Sequence, residues 1–205
     1  MASRRALERR LAALRGFEAP RVELEQYPTP ADLAASLLHL ADLLGDLDRP
    51  VVDLGAGTGV LALGAALRSP PRVVGVERDR DALETARANE RRLGAPVAVD
   101  WVQGDATRPP LAIEAATVVM NPPFGAQRSR RHADRAFLEA AAGLGAVSYS
   151  VHNAGSRAFV EALARDHGGR VTRTFGATLD LDRQFPFHDR DRAELPVEVY
   201  RIEWP

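Results

Sequence analysis

The stretch "VVDLGAGTGVL", residues 51–61, decides the fold. Val51–Leu54 is an apolar run broken by one acid, as in a strand buried on both faces. Gly55, Gly57 and Gly59 follow it, and a helical pattern follows them. Glycines at a strand-to-helix turn let the backbone turn tightly and come close to a ligand. By itself this unit also suits a nicotinamide dinucleotide. Two details point to S-adenosylmethionine instead. Asp53 stands just ahead of the first glycine, where it can meet a cationic amino group directly or through water. The same carboxylate would repel a pyrophosphate. The glycines are also spaced G-x-G-x-G, not G-x-G-x-x-G.

Working outward, short apolar strands alternate with helical patterns. Strands are expected near 51–54, 73–76, 97–102, 117–120, 147–151, 170–181 and 197–203. Helices are expected near 3–15, 30–44, 59–67, 79–93, 134–144 and 155–166. Thr29-Pro30 reads as a helix start, with a capping hydroxyl and then proline at the first helical position. Alternation implies right-handed crossovers and a mostly parallel sheet. The last two strands are joined only by "DRQFPFHDRDRAELP", residues 182–196, so they should pair antiparallel. The expected architecture is α/β: a Rossmann-like, seven-stranded, mostly parallel sheet with an antiparallel C-terminal strand and an N-terminal helical extension. This is the pattern of the class I methyltransferases. Residues 1–205 read as a single domain, with N-terminal helices over 1–48 and the Rossmann-like core over 49–205.

Composition agrees. The chain has 205 residues, 45% hydrophobic and 27% charged, enough for one full core. There is no cysteine, which excludes disulfides and thiolate metal sites. No metal site is expected. No stretch is long and apolar enough to span a membrane. The Arg-rich start, "MASRRALERRLAALRGF", lacks the apolar core of a secretory signal, and a cytoplasmic location is expected. A net charge of −1 does not advertise nucleic-acid binding. Every basic side chain other than histidine is arginine, the better bidentate phosphate partner, although genome composition alone accounts for that.

Further acids follow the next strands. Glu77 ends the second strand in "GVERD", where an acid can hydrogen-bond ribose hydroxyls. Asp79 is better placed to cap the next helix. Asp105 follows the third strand in "VQGDAT", where it can accept from an adenine amine. Any one of these acids could be a helix cap or a solvated loop residue. Asp53, Glu77 and Asp105 together ring the place where open α/β sheets bind ligands.

"VVMNPPFG", residues 118–125, falls on the same rim. Proline cannot continue a central strand, so the fourth strand stops at Asn121. Taken alone, the stretch fits either a plain turn or a clamp. Read together, "DLGAGTG", "GVERD", "GDA" and "NPPF" resemble the class I, S-adenosylmethionine-dependent amino methyltransferases. The chemistry suits the residue types. An exocyclic adenine amine is a poor nucleophile because its lone pair is delocalised into the ring. The side-chain oxygen of Asn121 and the carbonyl of Pro122 would accept its two N–H groups and turn that lone pair toward a methyl sulfonium. Pro122 and Pro123 fix the backbone, and Phe124 would stack on the base. Transfer is then an in-line displacement helped mainly by positioning.

A closer resemblance is to the methyltransferase-like-five family, which makes N6-methyladenine in small-subunit ribosomal RNA. It rests on "LEQYPT" (24–29), "DLGAGTGVL", "MNPPFG", "DRAFL" (134–138), "YSVH" (149–152) and the F-H…V-E-V-x-R-I pattern of 187–202. The resemblance implies cofactor contact at Gln26 and Thr29, with Tyr27 close by, and at Gly55, Thr58, Val60, Glu77, Asp105 and Ala106. It places catalysis on Asn121 through Phe124. Where many relatives carry a lysine-rich loop after F-H, this chain has "FHDRDRAE". The loop "AQRSRRHADRA" is Arg-rich, so RNA contact is expected at Arg128, Arg130 and Arg131, with His188 facing RNA. His152 reads as structural or RNA-facing. Members of the family work with a small zinc-containing activator that adds a strand beside the third strand. Here 97–102 carries Val97, Val99, Trp101 and Val102, an apolar edge that something should cover. Either such a partner or self-association is expected there. The same chemistry on guanine N2, DNA adenine or protein glutamine is the alternative, as is a non-catalytic RNA-binding relative.

Overall fold

The computed structural model describes residues 3–21, 24–123, 133–182 and 192–205. The elements run α1 (Arg4–Leu11), α2 (Ala31–Leu43), β1 (Val51–Leu54), α3 (Val60–Ala66), β2 (Val73–Glu77), α4 (Arg80–Leu93) and β3 (Val99–Gln103). They continue with β4 (Ala116–Met120), α5 (Ala133–Leu144), β5 (Gly145–Asn153), α6 (Arg157–Asp166), β6 (Arg170–Asp182) and β7 (Arg192–Glu203). The strands form one sheet in the order β3-β2-β1-β4-β5-β7-β6. β1 to β5 run parallel, and β7 runs antiparallel to both β5 and β6. The expected sheet and its antiparallel end are both present.

Alternation along the strands splits the core into two layers. Val51, Val119, Tyr149, Val151 and Val199 face α1, α2 and α3 through Leu7, Leu11, Leu37, Leu38 and Leu63. Val52, Leu54, Val74, Val76, Val118 and Met120 face α5 and α6 through Leu138, Val160 and Leu163. The end of the sheet away from the glycine turn is tied by a buried ion pair. Arg201 on β7 gives Nε and Nη2 to the two oxygens of Asp46, at 2.7 and 2.8 Å. Tyr149 donates to the same carboxylate.

Three local expectations are corrected. The first helix stops at Leu11, not near residue 15. Its Ser3 hydroxyl caps Ala6 N–H as expected of a serine there, but the chain leaves the helical path because both backbone groups of Arg15 bond to the Asn89 side chain. Next, α2 begins at Ala31 with Pro30 at the cap and no side-chain cap bond, so Thr29 does not cap it. The third correction concerns the sheet edge. β3 starts at Val99, and its apolar side chains turn inward. Asp53, Gly75 and Trp101 lie in one row across three strands. Because Gly75 has no side chain, the Trp101 ring lies over it; a Cβ there would come 2.5 Å from Cζ3. Trp101 Nε1 donates to Glu90 at 2.7 Å. Asp100 and Gln103 are the exposed residues of this strand.

Candidate active site

β3, β2, β1 and β4 are neighbours in the sheet and run parallel. Their C-terminal ends therefore form one rim. That rim carries Asp105, Glu77, the glycine turn and Asn121. Gly55, Gly57 and Gly59 all take positive φ, at 75°, 54° and 91°. Only glycine adopts this conformation freely. The turn is pinned to the second strand: the N–H groups of Gly55 and Ala56 both donate to the Val76 carbonyl at 2.9 Å.

The rim frames a cleft lined in part by Tyr27, Thr29, Asp53, Gly55, Gly57, Thr58, Val60 and Asn121. These are residues read as site residues from the sequence. Asp53 is almost wholly buried, and its Oδ2 accepts the Ala62 N–H at 2.8 Å. Burial pushes its carboxyl up to about 7; the Ala62 N–H works against this and the nearby Glu77 adds to it. Such a group strongly favours a cationic partner. Asn121 gives its Nδ2 to Thr29 Oγ1 at 3.1 Å. Its Oδ1 is buried and has no hydrogen-bond partner among the described residues. A buried acceptor without a donor calls for an explanation, and a ligand N–H supplies one. A carboxylate for an ammonium, glycines that allow close approach and an amide oxygen left for a donor all fit S-adenosylmethionine beside an amine.

Other expected site residues stand differently. Glu77 is buried, with Oε2 accepting from Gly57 N–H at 2.9 Å and Oε1 from Asp79 N–H at 2.8 Å. It holds the glycine turn to the end of β2. Burial raises its carboxyl, and the Asp79, Gly57 and Arg78 N–H groups oppose that. Asp79 caps α4 through Asp81 N–H, as read from the sequence. Asp105 Oδ1 accepts from both the N–H and the hydroxyl of Thr107, which hold its carboxyl below the usual range. Ala106 beside it is buried. Gln26 uses both ends of its amide within the chain, donating to Asp79 at 2.6 Å and accepting from Arg21 N–H at 2.8 Å. It braces the N-terminal segment against the start of α4. Pro122 is buried and Pro123 half-buried. Phe124, Arg128, Arg130, Arg131 and His188 lie outside the described residues.

The comparisons with known proteins agree with this geometry. The methyltransferase small domain family matches residues 30–146. The chain is 33% identical to the rRNA N(6)-adenosine-methyltransferase Mettl5 of Drosophila melanogaster, over 97% of this chain and 95% of that protein. It is 34% identical to an uncharacterised protein of Methanocaldococcus jannaschii, over 99% of this chain and 95% of that protein. This chain belongs to the methyltransferase-like-five family. The crystal structure of a candidate RNA methyltransferase from Pyrococcus horikoshii superimposes with a TM-score of 0.88 at 38% identity, covering 100% of this chain and 98% of that one.

Two residues of this methyltransferase-like-five protein escaped the sequence reading. Asn89 is buried in α4, with Oδ1 accepting from Arg15 N–H at 2.9 Å and Nδ2 donating to the carbonyls of Arg15 at 2.9 Å and Thr58 at 3.0 Å. It ties the N-terminal segment and the glycine turn to one helix. Its only signal in the sequence is an asparagine among Leu83, Ala86 and Leu93 on the apolar face. Phe17 lines the cleft, and a Cβ on Gly57 would come 3.0 Å from its Cζ. The second glycine is thus also needed for an aromatic from the N-terminal segment. His152 is buried on β5, and its Nε2 has no partner among the described residues. Burial lowers its imidazole to about 4.

Proposed function

We propose that this protein is an S-adenosylmethionine-dependent N6-adenine methyltransferase acting on RNA, with small-subunit ribosomal RNA as its substrate. The observation that carries the reading is the buried Oδ1 of Asn121, without a partner among the described residues, in the cleft that also holds the buried Asp53. Membership of the methyltransferase-like-five family supports the same substrate.

When bound, S-adenosylmethionine supplies a methyl group on a sulfonium. Asp53 would face its amino group. Gly55, Gly57, Thr58, Gly59 and Val60 would meet it from the turn, and Tyr27 and Thr29 from the opposite wall. Glu77 would reach the ribose; Asp105 and Ala106 would reach the adenine. Gln26 would keep the wall in place. On the substrate side, Asn121 Oδ1 and the Pro122 carbonyl accept the two N–H groups of the target amine. That turns the nitrogen lone pair toward the methyl group. Pro123 keeps the Pro122 carbonyl from swinging away. Phe124 stacks on the base. No strong base is required, because the amine becomes acidic as it is alkylated. A base inside a helix would have to be extruded to reach this pocket. Arg128, Arg130, Arg131 and His188 would contact RNA beyond it.

Residues 1–205 would act as one methyltransferase domain. Among the described residues no helix is long and apolar enough to cross a membrane, which fits a cytoplasmic location. A small zinc-containing activator adding a strand at β3 fits an edge strand that, among the described residues, pairs with β2 alone. Self-association through 97–102 is the other occupant of that edge. A purified chain that stays monomeric and soluble at high concentration would count against both.

The deciding experiment maps N6-methyladenine in ribosomal RNA with and without the gene. One small-subunit adenine should lose its methyl group, and a gene carrying Asn121→Ala should not restore it. An unchanged map would overturn the reading.

A further inference from the structure

Thr29 stands where a helix-capping oxygen is expected, immediately before Pro30, yet α2 carries no side-chain cap bond. Its Oγ1 instead accepts the Nδ2–H of Asn121 at 3.1 Å, joining residues 92 positions apart in sequence. Both side chains line the same cleft. At the other end of the amide, Oδ1 is buried and has no partner among the described residues. An asparagine amide has two orientations of nearly equal shape, and they present opposite chemistry. In one, an acceptor meets the substrate amine. In the other, an NH₂ group meets it, donor against donor.

A threonine hydroxyl can accept from Nδ2 or donate to Oδ1, so it fixes where the amide sits while the N–H groups of the substrate choose its orientation. We propose that Thr29 is a positioning residue for methyl transfer, anchoring the Asn121 amide in the cleft so that Oδ1 can meet the target amine. The inference rests on the role given to Asn121 above. It adds a function to Thr29 beyond the cofactor contact that the family resemblance implies. The two roles differ in what they change. A residue that only holds cofactor changes cofactor affinity. A residue that anchors Asn121 changes the rate of the saturated enzyme, because the amine meets Oδ1 only in the reacting complex.

The test compares Thr29→Val, Thr29→Ser, Asn121→Ala and the double variant Thr29→Val/Asn121→Ala. It measures kcat at saturating S-adenosylmethionine and RNA, cofactor Kd by calorimetry, and thermal unfolding as a check on folding. Thr29→Val should lose roughly tenfold to a hundredfold in kcat at saturating cofactor, over and above any loss of cofactor affinity from its own contact. Thr29→Ser keeps the hydroxyl and should recover most of the rate. The double variant should be no slower than Asn121→Ala alone, because both changes remove one device. If valine is not tolerated in the fold, Thr29→Ala takes its place. A Thr29→Val enzyme with full kcat, or one that loses only cofactor affinity, would overturn the proposal. A fully active Asn121→Ala enzyme would instead remove the role of Asn121 itself.

Discussion

Asn89 donates from α4 to the carbonyl of Thr58 at 3.0 Å, so the glycine turn is held from behind by a helix that follows the next strand. The same amide bonds both backbone groups of Arg15. Replacing Asn89 by alanine leaves the Thr58 carbonyl unpaired in a buried place and frees both backbone groups of Arg15. The expected cost is about 2 kcal/mol or more in unfolding free energy, seen as a lower urea midpoint. Cofactor affinity should fall with it, because Arg15 and Thr58 lie next to the cleft-lining Phe17 and Gly57. A variant with unchanged midpoint and affinity would show that the hub is dispensable.

Asp53 predicts how cofactor binding depends on pH. Its carboxyl lies near 7 in the free protein. An ammonium beside it favours the ionised form, so binding below pH 7 must expel a proton. Affinity should therefore fall as the pH drops below 7, approaching tenfold per unit. Calorimetry in buffers of different ionisation enthalpy should register that proton. Asp53→Asn should bind more weakly at pH 8 and lose the slope. A flat profile for the unaltered protein would separate Asp53 from the amino group.

Stability should show opposed titrations from the two buried groups. His152 is lowered by burial to about 4, so its contribution is present above its ordinary 6.5 and lost as pH falls toward 4. The size is about 3 kcal/mol. Asp53 is raised, so its contribution is fully present below its ordinary 3.8 and lost as pH rises through 7. Acidification thus weakens the fold through one group and strengthens it through the other. Urea midpoints at pH 4.5 and 7 should separate them. His152→Phe should resist acid better than the unaltered chain, and Asp53→Asn should resist it less. Equal acid responses in all three proteins would refute the assignment.

Gly75 predicts a packing failure with a specific rescue. A methyl group there would sit 2.5 Å from the Trp101 ring and 3.3 Å from the Ala56 Cβ. Gly75→Ala should destabilise by about 1–3 kcal/mol. Combined with Trp101→Leu, it should cost less than the sum of the two single changes. Strict additivity in chemical denaturation would mean that the ring is not the obstacle.

Much of this was legible in the sequence. The strands and their directions follow from alternating apolar runs and from a last connection too short for a helix, and the sheet ends antiparallel as that implies. Asp53, the glycine turn and Asn121 were legible because backbone shape and charge at strand ends constrain residue type. Thr29 was visible, but it was read as a local cap and, through the family resemblance, as a cofactor contact. Its partner lies far along the chain, and no local pattern reports such a bond. Asn89 was hidden for the same reason, since a buried amide on an amphipathic helix gives no periodic signal. The apolar side chains of 97–102 are partly covered by the fold itself, which alternation could not report, because it identifies which residues share a face but not which neighbour has left room for them. Gly75 made that room, and Trp101 took it.

That packing has an optical consequence. The chain has two tryptophans, and Trp101 lies within 2.8 Å of where a side chain on Gly59 would begin. The other, Trp204, donates to Ser148 away from the turn. Trp101 emission therefore reports on the glycine turn from inside the protein, with Trp204 as the background that Trp101→Phe would isolate. Cofactor arrival should therefore change Trp101 emission in the unlabelled enzyme, without RNA and without turnover.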